Sequence, residues 1–384
     1  MFSIHVDTAR TWRGGQRQVL LTILGMRERG HRALLVAHPD GELARRAAEG
    51  HDLIRLAPRA EVDLHAAWKL SRIIKELKPD IVHAHDPHAV ASASLALSFM
   101  TSGKCPALMA SRRVAFHLNR NAFSRWKYHQ VDCFVAASEA IHRMLIEDGI
   151  RRECVVTVYE GIDVHRVQAE PAANIHAEFW LPTHAPIVGA VAALTAEKGH
   201  KYLIDAAALV VREVPDARFV ILGEGDLRPA LERQIKELHL DKHVLLPGFR
   251  ADVLAFIKSF DLFVMSSLAE GLGTSLLDAM ALSKPTVASD TGGIPEVVAH
   301  GETGLLVRPR DHHALAAAIS GLLRNQDRRE RMGNAGLEHV KRLFTADRMV
   351  EKTLEVYRAH AGVHHGDAGG TYPAAGTPSH PAGG

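Results

Sequence analysis

Two successive runs of alternating strand and helix signals, broken once near residue 161, constrain this chain more than any other feature. Residues 2–6 read as a short buried strand. The segment that follows at 16–29 carries Val19, Leu20, Ile23 and Leu24 on one helical stripe and stops at Gly30. Strands at 33–37, 53–56, 81–84, 107–110, 133–137 and 155–158 then alternate with helices at 42–48, 64–77, 89–99 and 139–147. A second series starts at 187–193 and continues through strands 218–222, 244–246, 262–265 and 305–307. Its helices fall at 202–213, 227–238 and 253–259, with more helix from 313 to 360. Strands separated by amphipathic helices pair in parallel through right-handed crossovers, so the expected fold class is α/β, with two doubly wound sheets in tandem. Ligands of such sheets bind beyond the carboxyl ends of the strands, which places a shared site between the two domains.

Composition narrows the functions open to this fold. The 384 residues suffice for two cores, and a net charge of only +2 excludes a general basic field, so no nucleic acid is expected as a partner. Cys105, Cys133 and Cys154 have no CxxC spacing and read as reduced thiols of a cytoplasmic protein. No apolar run approaches the roughly 18 residues of a membrane span. Residues 361–384, rich in Gly, Ala, Pro and His, read as a disordered tail in which His364, His365 and His380 carry no metal site.

The stretch from Leu268 to Val298 holds the densest chemistry. A glycine loop (Gly271, Gly273) opens a helix at Thr274, Pro285 breaks it, a strand follows at 286–289, and Gly292-Gly293 precedes Ile294-Pro295-Glu296. Glycine loops and helix N-termini bring bare N–H groups to anions, while the carboxylates of Glu270 and Asp278 can accept from sugar hydroxyls. The expected ligand is a nucleotide sugar.

These motifs, in order, resemble the family-4 retaining glycosyltransferases of the GT-B fold. The residues carrying the resemblance are Glu270-Gly271-Leu272-Gly273 with a second acid at Asp278, Gly292-Gly293-Ile294-Pro295-Glu296, Gly301-Glu302-Thr303-Gly304, Glu197-Lys198-Gly199, Gly14-Gly15 and His83-Ala84-His85. The resemblance covers about residues 2–360. It implies an acceptor domain at 1–165, a hinge at 166–186, a donor domain at 187–345 and a helix at 346–360 returning to the first domain. It further implies metal-independent transfer of a sugar from a nucleoside diphosphate sugar, with no other cofactor, to a sugar or lipid-linked acceptor. Glu270 and His85 are then the catalytic pair, Lys198 meets the diphosphate, and Asp278 takes the ribose in place of the family's usual glutamate. Gly271, Gly273, Thr274, Gly292 and Gly293 complete the donor side.

The family's usual arginine five residues before Lys198 is Ala193 here, so another group must supply charge. Lys201, Arg13, Arg113 and the N–H groups of Gly292 and Gly293 are the candidates. Arg13, Gly14, Gly15 and Gln16 are also placed to meet an acceptor or phosphate, whereas Glu224 reads as part of a structural turn. Ligation of a metal by His83, His85 and His88 is disfavoured, since no Asp-x-Asp accompanies them. Residues 112–129 mix five Lys/Arg with four aromatics, which suits either peripheral contact with an anionic membrane or an ordinary amphipathic helix. Two other classes share these signals: an epimerase or phosphorylase on the same fold, and a nucleotide-sugar-binding protein without catalysis.

Overall fold

The computed structural model describes residues 1–48, 52–100, 105–119 and 121–361; the tail assigned from sequence lies, from 362 on, outside the described residues. The first domain opens with β1 (Phe2–Asp7), α1 (Gly14–Glu28), β2 (Arg32–Ala37), α2 (Glu42–Ala47), β3 (Leu53–Arg55) and α3 (Leu64–Leu77). It continues with β4 (Ile81–Ala84), α4 (Pro87–Ser98), β5 (Ala107–Arg112), α5 (Ala122–His129), β6 (Cys133–Ala136), α6 (Glu139–Glu147) and β7 (Val155–Thr157). Side-chain caps set several helix starts: Asp63 accepts from Ala66 N, Asp86 from His88 N and Ala89 N, and Ser138 from Ile141 N. The Asp86 cap explains why α4 begins at Pro87 and not at 89. All seven strands are parallel, in the order β3-β2-β1-β4-β5-β6-β7.

Two short helices, α7 (Val164–Ala169) and α8 (Ile175–Glu178), occupy the segment expected to be a hinge. Val164, Val167 and Ile175 are buried in the core of the second domain, so this stretch is packed and not a free linker. The second sheet is built from β8 (Ile187–Val191), α9 (His200–Glu213), β9 (Arg218–Leu222), α10 (Arg228–Glu237), β10 (Val244–Gly248) and α11 (Val253–Lys258). Next come β11 (Leu262–Met265), α12 (Thr274–Ala281), β12 (Thr286–Ser289), α13 (Ile294–Val297), β13 (Leu305–Val307) and α14 (His312–Leu323). Its strands run parallel in the order β10-β9-β8-β11-β12-β13.

After α15 (Gln326–Leu343), α16 (Ala346–His360) returns to the first domain. Met349, Val350, Leu354 and Tyr357 are buried in the core formed with Val19, Ile23, Leu35 and Met109. Burial of such side chains is worth about 1.5–3 kcal/mol each. The helices meet closely because Gly25 of α1 has no side chain: a Cβ there would stand 2.7 Å from Val350 Cγ2. This is a GT-B architecture, two parallel-sheet domains facing one another with the last helix crossing back.

Candidate active site

Each sheet reverses its strand order once, between β1 and β4 in the first domain and between β8 and β11 in the second. The carboxyl ends at these switch points carry Asp7 and His85 on one side, and Lys198 and Glu270 on the other. Ligand sites of open α/β sheets form there because the two flanking loops diverge and leave a crevice.

On the second domain, the Lys198 ammonium donates to Glu270 Oε2 at 2.7 Å, and the Ser267 hydroxyl donates to the same oxygen at 3.1 Å. Glu270 keeps 13% and Lys198 23% side-chain exposure, so the pair is reachable from the cleft. Behind it the two glycine loops pack against each other. Gly292 has φ +55°, and a Cβ there would lie 2.0 Å from Glu270 O. The Gly293 N–H, expected to face the ligand, instead donates to the Glu270 carbonyl at 3.2 Å. It fixes the Glu270 loop and is not a free anion donor. Gly273 caps α12, whose Thr274 end faces Gly14: a Cβ on Gly14 would stand 2.3 Å from Thr274 Oγ1.

Three further contacts close the cleft. Arg17 Nη1 and Asp278 Oδ2 are 2.9 Å apart, Arg17 on α1 and Asp278 on α12. Asp278, a ribose ligand by resemblance, is thus already paired across the domains. Burial pushes its carboxyl up, and Arg17 opposes that shift. Asp278 Oδ1 and Arg17 Nε are both buried without a hydrogen-bond partner. Glu296 takes the N-terminus of α6, accepting from Glu139 N at 2.7 Å and Ala140 N at 2.8 Å. Finally, Gly271 abuts Arg113, whose carbonyl would be 2.0 Å from a Cβ at that position.

His85 lies at the end of β4, nearly buried, with both ring nitrogens engaged inside the protein. Nε2 is 3.0 Å from His5 Nδ1, while Nδ1 is 3.2 Å from Ser111 Oγ and 3.3 Å from Arg113 Nη1. His83 bonds Ser111 Oγ through Nε2 at 2.8 Å and the Tyr357 hydroxyl of α16 through Nδ1. Burial drives His5 down to about 3 and His83 and His85 well below the usual histidine range, with Arg113 adding to each shift; all three rings are neutral. Arg113 Nε pairs with Glu160 Oε1 at 3.2 Å, and burial raises the Glu160 carboxyl while lowering the Arg113 guanidinium. Asp7 is pushed up to about 6, mainly by burial and then by the nearby Asp86.

The ring nitrogens of His5, His83 and His85 come within 4.8 Å of one another, a spacing a transition metal can use. The set differs from the one weighed in the sequence, since His88 is exposed and His5 takes its place. Every one of these nitrogens already has a protein partner, and a guanidinium stands beside the cluster, so the donor set fits a hydrogen-bonded chain better than a cation.

Other expected residues fall elsewhere. Arg13 is exposed beside the cleft, and Gln16 is spent on Arg13 N and Asp7. Lys201 is exposed on α9, and Glu224 pairs with Arg228 as a turn residue. Of the five cations in 112–129, Arg112, Arg113 and Lys127 turn inward, Lys127 onto Glu61, and Arg120 lies outside the described residues; Val114, Phe116 and Arg125 stay exposed. Sequence reading missed His5, Arg17, Ser111, Glu160 and Tyr357. Only His5 left a usable signal, a polar residue alternating with apolar ones on a strand that pairs with β4, where His5 stands opposite His83.

Comparison with known proteins bears on the same halves. Residues 172–339 match the family model described as "Glycosyl transferases group 1", and residues 12–166 match "Glycosyltransferase Family 4". Alpha-maltose-1-phosphate synthase of Mycolicibacterium smegmatis is 31% identical over 263 residues, 60% of this chain and 67% of that one. The lipopolysaccharide core biosynthesis glycosyltransferase LpsE of Rhizobium meliloti is 26% identical over 350 residues, covering 89% and 95%. Among solved structures, Anabaena Alr3699/HepE in complex with UDP and glucose superposes with a TM-score of 0.81 at 20% identity, over 94% of this chain and all of that one.

Proposed function

Because the chain belongs to the group 1 glycosyl transferases and carries the family 4 domain ahead of the group 1 domain, we propose that it moves a sugar from a nucleoside diphosphate sugar to an acceptor hydroxyl with retention of anomeric configuration. The observation that carries this reading is Glu270, a reachable carboxylate held by Lys198 and Ser267 at the switch point of one sheet and facing the other across the cleft. A carboxylate so held is fixed where sugar hydroxyls or developing positive charge at the anomeric carbon need it.

The donor lies along the second domain. Lys198 meets the diphosphate and exchanges its bond to Glu270 for the phosphate oxygens. Arg113, buried in the cleft, supplies the second positive charge that Ala193 does not. Asp278 takes the ribose hydroxyls, and its unpartnered Oδ1 is the acceptor such a hydroxyl requires. His85 acts through Arg113 and Ser111, since both its nitrogens are already bonded. Transfer needs no metal ion and no other cofactor, and the departing phosphate takes the acceptor proton.

The acceptor enters from the first-domain side and is a glycolipid, polysaccharide or lipopolysaccharide precursor; the likeness to LpsE over most of both chains supports this class. The enzyme works in the cytoplasm, with Val114, Phe116 and Arg125 available for peripheral contact at the inner face of a membrane. Among the described residues no helix is long and apolar enough to cross one. The test is a thermal-shift screen against UDP, GDP, ADP and their sugars, followed by product analysis with the stabilising donor. A glycosylated product with the donor's anomeric configuration supports the reading; an isomerised nucleotide sugar or a sugar phosphate sinks it.

A further inference from the structure

Ser3, His5, His83, His85, Ser111 and Tyr357 form one continuous hydrogen-bonded chain under the cleft, and its ends fix its direction. Ser3 Oγ is 3.0 Å from His5 Nε2 and 3.8 Å from Met26 Sδ, which can only accept. Arg113 at the cleft can only donate, so His85 Nδ1, 3.3 Å away, carries no proton. His85 is neutral, hence its proton is on Nε2, pointing at His5 Nδ1. His5 must then be protonated on Nε2 and donate to Ser3, whose own proton goes to Met26. The other arm obeys the same polarity. Among the described residues the buried Tyr357 hydroxyl has His83 Nδ1 as its one hydrogen-bond partner, so it spends its proton there. His83 then donates from Nε2 to Ser111, and Ser111 donates to His85 Nδ1. A donor-only end, an acceptor-only end and a hydroxyl with one partner each require the same direction.

We infer that this one-way relay is a positioning device: it presents a neutral, unprotonated His85 nitrogen to Arg113 and, with Glu160, holds the guanidinium at the cleft, its side-chain stem beside Gly15. The output of the relay is the second cation for the diphosphate, and this rests on the proposed donor site. Tyr357 makes the returning helix α16 part of that site, so the relay joins β1, β4, β5 and α16 to one charged group. A protonated His85 would repel Arg113 and release it. Three imidazoles kept neutral and in one tautomer avoid that state.

The experiment uses the full chain labelled with 15N-histidine, with long-range nitrogen–proton correlation spectra recorded from pH 8 to pH 5.5. His5, His83 and His85 are expected as neutral Nε2–H tautomers throughout, and a His85 protonated on Nδ1, or charged, overturns the relay. Tyr357→Phe removes the donor at one end and should free His83 from its single tautomer while weakening UDP or GDP binding about threefold to tenfold. Val350→Ala, on the same helix, should lower the melting temperature comparably and leave both readouts unchanged. If His83 keeps its tautomer in Tyr357→Phe, or if Val350→Ala weakens nucleotide binding as much, the positioning role fails. Nε2–H tautomers in a protein that binds no nucleoside diphosphate would uphold the relay and sink the donor site instead.

Discussion

The two sheet edges that face the cleft solve the problem of burying polar groups in opposite ways. The first-domain edge buries three neutral histidines whose nitrogens are all satisfied by neighbours, leaving one aimed cation, Arg113. The second-domain edge presents charge: Lys198 with Glu270, and Asp278 bridged to Arg17 with an orphaned atom on each partner. A satisfied neutral network is rigid and gains nothing from a ligand, whereas an ion pair with unfilled hydrogen-bond capacity has something to exchange. The first edge therefore holds shape, and under the proposed function the second trades partners with a substrate.

The largest effect that tests this contrast is at Glu270. Glu270→Ala should lower transfer by about 10²–10³-fold or more, the scale of losing one preorganised group, with the melting temperature little changed. Near-normal turnover would remove the carboxylate from the chemistry. Next in size is the pair across the cleft. Arg17→Met leaves a carboxylate that is 95% buried without its partner, since its side-chain exposure is 5%. That should cost about 3 kcal/mol. Arg17 is a quarter exposed and can turn to water, so Asp278→Asn should cost less, and the double variant should recover part of the loss. Equal and additive losses in chemical denaturation would show that the two residues do not act as a pair. Lys198→Ala should weaken binding of a nucleoside diphosphate about tenfold, measured by titration calorimetry, because a charge-assisted hydrogen bond is worth roughly 1.5–3 kcal/mol before solvent screening. Unchanged affinity would leave Lys198 as a partner of Glu270 alone.

How far the site was legible depends on the period of the element that carries each residue. The alternation of strands and helices follows from local pattern, whereas the return of the last helix and the Lys198 and Glu270 positions come through the family resemblance that the motifs carry. The strands, the helices and the motifs are each specified within a few residues. Arg17 and Asp278 are 261 positions apart and meet only because two domains close on each other, so nothing in the local sequence pairs them. Tyr357 and His83 are separated by 274 positions for the same reason. The inward turn of Lys127 was hidden by composition, since a basic segment looks solvated until Glu61 is brought beneath it. Gly293 was misread because its N–H is consumed by the other glycine loop, a contact set by packing and not by sequence spacing.

A further effect separates the two edges by pH. His5, His83, His85 and His200 have folded pKa values below the usual 6.5, His200 at about 4, so as pH falls the unfolded chain binds protons that the native state refuses. Stability should therefore fall as pH drops from about 7, by at most about 1.4 kcal/mol per pH unit per group. Asp7, Glu160 and Asp278 are raised and act with the opposite sign at lower pH: the native state keeps a proton that the unfolded chain releases, Asp7 up to about 6. The loss should set in below about pH 7, steepen as the unfolded histidines charge through 6.5 and continue below, offset in part once Asp7 takes up its proton near 6. Hydrogen exchange should place it in the first domain, where three of the four histidines lie. A stability that is level across that window would mean the imidazoles are not buried neutral.

The smallest expected effect concerns the membrane, and it follows from where the cations of residues 112–129 point. Three of them are spent inside the fold, on Phe116 O, on Glu160 and on Glu61, so among the described residues the surface offers Val114, Phe116 and Arg125 and little net field. A polybasic segment gains about 1 kcal/mol per cation near anionic lipid, and the one exposed arginine among the segment's described residues provides too little to anchor a protein of this size. Co-sedimentation with anionic vesicles should show weak binding at low salt that disappears near physiological ionic strength. Phe116→Ser should remove more of it than Arg125→Ala, because the apolar contact supplies most of what remains. Salt-resistant binding would mean that a surface beyond this segment meets the lipid.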